Sequence, residues 1–370
     1  MTVTTVCLNM IVRNEAHVIE RCLRSVLPFI DRWVVVDTGS EDGTQDLVRT
    51  ALASIPGTLH ERIWKNFAHN RNEALTLASS VADYVFFIDA DETLALPPGY
   101  QRPALGADAY NLWCEYAGSN YTRCALIRSQ LPWRWQGVVH EFVECGQPVN
   151  YAALEGPHFV IAHDGARSRD PQTYVKDAAL LEEALRTEPG NTRNVFYLAQ
   201  SYRDAGNLAR SREVYERRAQ MGGWDEEVWY SLYQVAVLSE KVGDEAAQVS
   251  SRYLRAFEAR PTRAEPLVEL ARYHRQRSEY AVAFLYAQHA ASIVQLKDLL
   301  FVEQAAYRWR ALDELAISAY YCDQREAGRA AVQRLLQDQV FPESERPRIL
   351  KNAEFYGIAA GVTRTAPHSM

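Results

Sequence analysis

Three acids crowd the end of one apolar run. In YVFFIDADE, residues 84–92, aromatic and branched residues lead straight into Asp89, Ala90, Asp91 and Glu92. Burying a carboxylate is costly unless it is paired or bound to a cation. Residues i and i+2 of a strand point the same way, so a strand that stays extended through its end projects Asp89 and Asp91 together. Two oxygen donors on one face suit a hard divalent ion such as Mg²⁺ or Mn²⁺. The plainer alternative is that Asp89 caps a turn and the others are solvated. Glu92 either extends the acidic cluster or caps a helix.

Other chemistry-bearing residues follow the same grammar. One apolar run ends in VRNE, and the next, VVVDTGSEDGT, carries Asp37 at its end, with Gly39 and Gly43 permitting a sharp turn. NFAHNRNEA sets Arg71 at the start of a helix, where a guanidinium suits a diphosphate and an ion pair is the alternative. WRWQGVVHEFVE offers His140 and Glu141 after Trp133 and Trp135, and IAHDGAR offers His163 beside Asp164.

The elements that must position these groups alternate. TTVCLNMIV, DRWVVVDTGS, LHERIW and residues 84–89 read as strands; NEAHVIERCLRSVLPF, EDGTQDLVRTALASI and HNRNEALTLASSV read as helices. Asp42 or Ser40 serves as cap for the second of these helices. Such alternation predicts a mostly parallel sheet covered by helices, and ligands of such sheets bind beyond the carboxyl ends of the strands. From about 105 to 165 the pattern turns short, aromatic and strand-like.

The remainder is helical and repeats itself. FYLAQSYRDAGNLARSREVYERR, YSLYQVAVLSEKVGDEAAQVSSRYLRA and VELARYHRQRSEYAVAFLYAQHA share a small residue at Ala199, Ala236 and Ala271 and, in the first two, a glycine at Gly206 and Gly243. A fourth unit is expected around LDELAISAYYCDQREAGRAAVQRLL. A period of about 34 residues with these features is similar to the tetratricopeptide pattern, against a plain helical bundle. The expected domains are 1–168 and 169–370.

Composition narrows the partners. The 370 residues carry a net charge of −7, which argues against nucleic acid. The six cysteines form no CxxC pair and read as reduced thiols of a cytoplasmic protein. No signal peptide or run of about 20 apolar residues is present, so no transmembrane segment is expected.

Taken together, NMIVRNEAHVIERCLRSV, VVVDTGSEDGT, NRNEAL and YVFFIDADE resemble a family 2 glycosyltransferase of the GT-A nucleotide-sugar fold, followed by a tetratricopeptide-like repeat domain. The resemblance covers residues 4–95 well and 105–165 loosely. It implies that Val12, Arg13, Glu15 and Asp37 line the nucleotide pocket, that Arg71 and Asp89 face the donor's diphosphate, and that Asp89 and Asp91 hold Mn²⁺ or Mg²⁺. It implies a nucleotide-sugar donor, a UDP-sugar first, and one inverting displacement. Family members more often carry PTYNE where this chain has IVRNE, which leaves the base open. Glu141 is the candidate base, with His140 assisting or contacting phosphate, and His163 the candidate further metal ligand. Trp133 and Trp135 suit sugar stacking or simple core packing.

The combination is similar to bacterial peptide glycosyltransferases with repeat domains, which implies a peptide or protein acceptor; exposed repeat surfaces often dimerise, so a homodimer through the repeat half is an open expectation. A lipopolysaccharide-core transferase, a catalytically silent repeat scaffold and a nucleotidyltransferase are the competing readings.

Overall fold

The computed structural model describes residues 4–116, 119–294 and 298–358. The chain divides into two compact units, Met1–Pro189 and Gly190–Met370.

The first unit is built on an eight-stranded sheet. Its first stretch runs β1 (Val6–Val12), α1 (Ile19–Val26), β2 (Arg32–Asp37), α2 (Thr44–Ala51), β3 (Gly57–Glu61), α3 (Phe67–Ala78) and β4 (Tyr84–Phe87). Then come β5 (Glu92–Ala95), β6 (Ala109–Tyr116), β7 (Ser119–Arg128), β8 (Trp133–Gln136), β9 (Phe142–Cys145) and β10 (Tyr151–Ile161). The strand order is β3-β2-β1-β4-β7-β6-β10-β5, with β8 and β9 as a separate hairpin. The pairs β3-β2, β2-β1, β1-β4 and β6-β10 are parallel, while β4-β7, β7-β6 and β10-β5 are antiparallel. The sheet is therefore mostly parallel, as the alternating pattern predicted.

Residues of β1, β2 and β4 are buried on both faces, as expected of parallel strands covered twice. One face packs Leu8, Met10, Val35 and Phe86 on α1 and α2; the other packs Cys7, Val34, Val85 and Phe87 with Leu75 and Ala78 of α3 and Trp133 of β8. The one polar residue inside β1, Asn9, is satisfied by donating to the carbonyls of Val34 and Ala74 at 3.3 and 3.0 Å. Two helices close the unit: the short α4 (Ala166–Arg169) and the longer α5 (Thr173–Thr187). The first compact unit runs through α5 to Pro189. Arg167 pairs with Asp177 of α5, and its guanidinium lies 5.0 Å over the Phe67 ring, fastening α5 to α3.

The second unit is helical: α6 (Thr192–Asp204), α7 (Leu208–Gln220), α8 (Asp225–Val242), α9 (Ala246–Ala259), α10 (Glu265–Gln276), α11 (Tyr280–Ser292), α12 (Ala311–Tyr321), α13 (Arg325–Asp338) and α14 (Arg346–Glu354). Pairs α6/α7, α8/α9, α10/α11 and α12/α13 are each joined by a three-residue turn and pack on one another. Ala199, Ala236 and Ala271 are fully buried where the helices meet. Each turn holds one residue in the left-handed region: Gly206, Gly243, Ser278 and Asp323. The glycine signal visible in two repeats gives way to serine and aspartate in the others. All six cysteines are free. Among the described residues no helix is long and apolar enough to cross a membrane.

Candidate active site

The carboxyl ends of β1, β2 and β4 meet loops from β10. At the end of β2, Asp37 is fully buried. Its Oδ1 accepts hydrogen bonds from the amides of Gly39 and Ser40, both at 2.9 Å, and from Gln45 Nε2 at 3.0 Å. Its Oδ2 is buried with no hydrogen-bond partner. The turn it shapes needs glycine, since Gly39 and Gly43 lie at φ +108° and +89°. Asp42 accepts from the amide of Thr44 at 3.1 Å, while the cap position of α2 falls to Gly43 with no side-chain cap.

The loop after β1 is laced to this turn. The Asn14 amide donates to Ser40 Oγ, the Glu15 amide to Thr44 Oγ1 and the Ala16 amide to Asp42 Oδ2. Val12 is buried and Arg13 exposed. Glu15 Oε2 accepts from the amide of Ala166 at 3.1 Å. Burial pushes the Glu15 carboxyl up to about 7; the Ala166 amide opposes this and Asp91 adds to it.

β4 does not stay extended. It ends at Phe87, and residues 89–92 form a turn in which the Glu92 amide donates to Asp89 O and the Asp89 amide to Glu92 Oε2, both at 3.1 Å. The expected projection of Asp89 and Asp91 by strand pleat is thus corrected: a reciprocally closed turn sets their directions. Glu92, buried, is the turn's clamp and the bidentate partner of Arg123 on β7. Arg123 also stands 3.8 Å from Asp89 Oδ2 and lies 4.4 Å over the Phe159 ring.

Arg71 completes an alternating chain of charge. Its Nη2 donates to Asp89 Oδ1 and its Nε to Glu141 Oε1, each at 2.6 Å, and its guanidinium lies 4.8 Å over Trp135. The order is Glu141–Arg71–Asp89–Arg123–Glu92. Burial raises the Asp89 carboxyl, but Arg71 and Arg123, with a smaller contribution from His163, outweigh it and hold the group below its ordinary value.

Asp91 points elsewhere. Its Oδ2 accepts from the Gly165 amide at 3.3 Å, and a Cβ at Gly165 would stand 3.0 Å from that oxygen, so the loop admits only glycine without a shift. Arg21 of α1 clasps Asp164 with both terminal nitrogens and donates to the Asp91 carbonyl at 3.0 Å. Glu15, Asp91 and the 163–166 loop, far apart in sequence, are thereby brought together. His140 and His163 are exposed and sit in the left-handed region, at φ 53° and 51°. Trp133 is buried in the α3-side core, and Trp135 packs edge-on against Phe87 at 4.8 Å, so both tryptophans serve packing.

Among the described residues, no three histidine, cysteine or acidic side chains form a ready metal cage. A hard ion that keeps one or two carboxylates and takes its remaining ligands from phosphate and water would find two of them on the 89–92 turn, Asp91 and the half-exposed Asp89, with the ion replacing Arg71 on Asp89 Oδ1. Sequence reasoning missed Arg123, Arg21 and Gly165: Arg21 lies inside NMIVRNEAHVIERCLRSV and Gly165 inside IAHDGAR, yet nothing in either stretch singles them out.

Residues 7–96 match the model of glycosyl transferase family 2. The chain is similar to a TPR repeat-containing protein of Synechococcus elongatus, 29% identical over 308 residues, covering 78% of this chain and 75% of that protein. It is also similar to the SPbeta prophage-derived glycosyltransferase SunS of Bacillus subtilis, 26% identical over 214 residues, covering 53% of this chain and 49% of SunS. The chain thus spans about half the length of SunS. A crystal structure of MamA, 14% identical, overlaps 49% of this chain and 95% of its own with a TM-score of 0.38.

Proposed function

We propose, from the premise that residues 7–96 are a glycosyl transferase family 2 domain, that the protein moves a sugar from a nucleotide-diphosphate sugar, a UDP-sugar first, to a peptide or protein side chain by one inverting displacement. The observation that carries this reading is Asp37 Oδ2: a buried acceptor without a partner, at the ligand end of a parallel strand, beside a glycine turn. An oxygen so placed is suited to accept from a base N–H or a ribose hydroxyl.

Arg71 stands ready for the diphosphate, since its guanidinium already grips two carboxylates in the fork geometry that phosphate also fills. Turning toward the donor releases Glu141, whose oxygen then accepts the proton of the acceptor hydroxyl or thiol. The acceptor atom bonds to the anomeric carbon as the carbon–oxygen bond to the diphosphate breaks, and the nucleotide leaves with the electron pair. His140 follows directly before Glu141 and contacts phosphate in this reading. Asp89, Asp91 and His163 would hold Mn²⁺ or Mg²⁺, which supplies Lewis-acid neutralisation of the leaving diphosphate.

A screen of nucleotide sugars by calorimetry, with and without Mn²⁺, tests the reading. At least one should bind, more tightly with the ion. If none binds under either condition, the helical unit as a scaffold for a partner protein becomes the better account.

A further inference from the structure

We propose that residues 298–303 of the helical unit act as a resident ligand, occupying a surface that takes an extended peptide bearing a carboxylate three residues before an aromatic side chain. The inference stands apart from sugar transfer.

The segment, Asp-Leu-Leu-Phe-Val-Glu, lies between α11 and α12 and is held the way a bound peptide is held, through its backbone and its two acidic side chains. Glu226 Oε2 accepts from the amides of Leu299 and Leu300 at 2.9 and 2.7 Å. Arg263 donates to the carbonyls of Leu300 and Phe301 at 3.2 and 3.1 Å, and Glu265 Oε1 accepts from the Glu303 amide at 3.2 Å. Three side chains are also read, Asp298, Phe301 and Glu303, the last accepting from Tyr233 Oη at 3.0 Å and Arg310 Nη1 at 3.3 Å. Arg260 takes the Asp298 carboxylate bidentately, with both bonds at 2.7 Å, and the Phe301 ring stands 4.7 Å from Tyr230 and 6.5 Å, stacked, from Phe196.

The groove is built more firmly than its occupant. Arg263 is 1% exposed, paired with the equally buried Glu265, and stacked 3.7 Å over Trp229. Such buried charges need partners, and an extended backbone supplies them. The occupant buries its Asp298 carboxylate but leaves apolar side chains outside: Leu299 is 84% exposed, and Phe301 is 48% exposed and strained at φ 45°. Few buried apolar contacts mark a low-stability element. A peptide free of the strain imposed by the chain connection competes for the same acceptors and donors.

The test uses a fluorescein-labelled hexapeptide of sequence DLLFVE and the full chain. In a variant with residues 298–303 replaced by glycine and serine, anisotropy should show binding at least tenfold tighter than to the unaltered protein. Asp→Lys or Phe→Ser in the peptide should cost at least tenfold. Equal binding to both proteins, or equal binding of a scrambled peptide, overturns the proposal. If the variant loses its helical circular dichroism, hydrogen exchange on the unaltered protein decides. Excess peptide should accelerate exchange of the 298–303 amides, and unchanged exchange under the same excess overturns the proposal.

Discussion

Ion pairs are arranged oppositely in the two units. At the strand ends, Glu141–Arg71–Asp89–Arg123–Glu92 runs as a series, with Asp89 half exposed in the middle. In the helical unit, Arg218–Glu227 is sealed inside, with Arg218 fully buried and its Nη1 donating to the Gly222 carbonyl at 2.8 Å. The sealed pair is closed arithmetic: each charge has its partners within the fold. The open chain keeps exchangeable partners, and a ligand that brings its own charges can enter the series. Buried pairs hold a shape; strung pairs hold a place.

Four experiments break or sharpen that contrast. The largest effect is expected from Arg218→Met, which strands Glu227 and should lower unfolding free energy by about 3–5 kcal/mol in urea titrations, while Arg218→Met with Glu227→Leu should recover most of it. Next, Asp91→Ala should reduce transfer by about 10²–10³-fold at fixed Mn²⁺, with little change in the melting midpoint, because the side chain makes only one long bond at 3.3 Å. Full activity at limiting metal would remove Asp91 from the ion's ligands. Asp37→Asn turns the orphaned acceptor into a donor in one amide orientation, and donor affinity measured by calorimetry should fall by roughly 1–3 kcal/mol. The smallest effect belongs to Gly165→Ala: the new methyl presses on Asp91 Oδ2, and KM for the donor should rise by about two- to tenfold, as for a displacement costing roughly 0.5–1.5 kcal/mol.

Much of the frame was legible from residue type. Asp37 and the buried run before Asp89 mark strand ends because parallel strands covered on both faces must be apolar until they emerge. Gly206 and Gly243 mark inter-helix turns because those turns require the left-handed region. The repeat faded where Ser278 and Asp323 accept the same conformation, and where the helix leading into α12 opens with a π-helical turn at Ala306–Arg310. The turn at 89–92 was hidden because Glu92 reads as one more acid until Arg123 is opposite it. Arg123 lies on β7, and the pairing of β7 with β4 is long-range, so no local spacing announces it. Gly165 was equally silent, since its meaning comes from an oxygen 74 positions earlier.

The clasp between Arg21 and Asp164 has a further consequence. Both side chains are 41–46% exposed, so dissolved ions reach them. Raising salt from 0.1 to 1 M shortens the screening length from about 10 to about 3 Å. The loop above Asp91 should then loosen, while Arg263 and Glu265, shut away from solvent, stay matched. Ionic strength becomes a dial on the loop over Asp91 that leaves the helices folded.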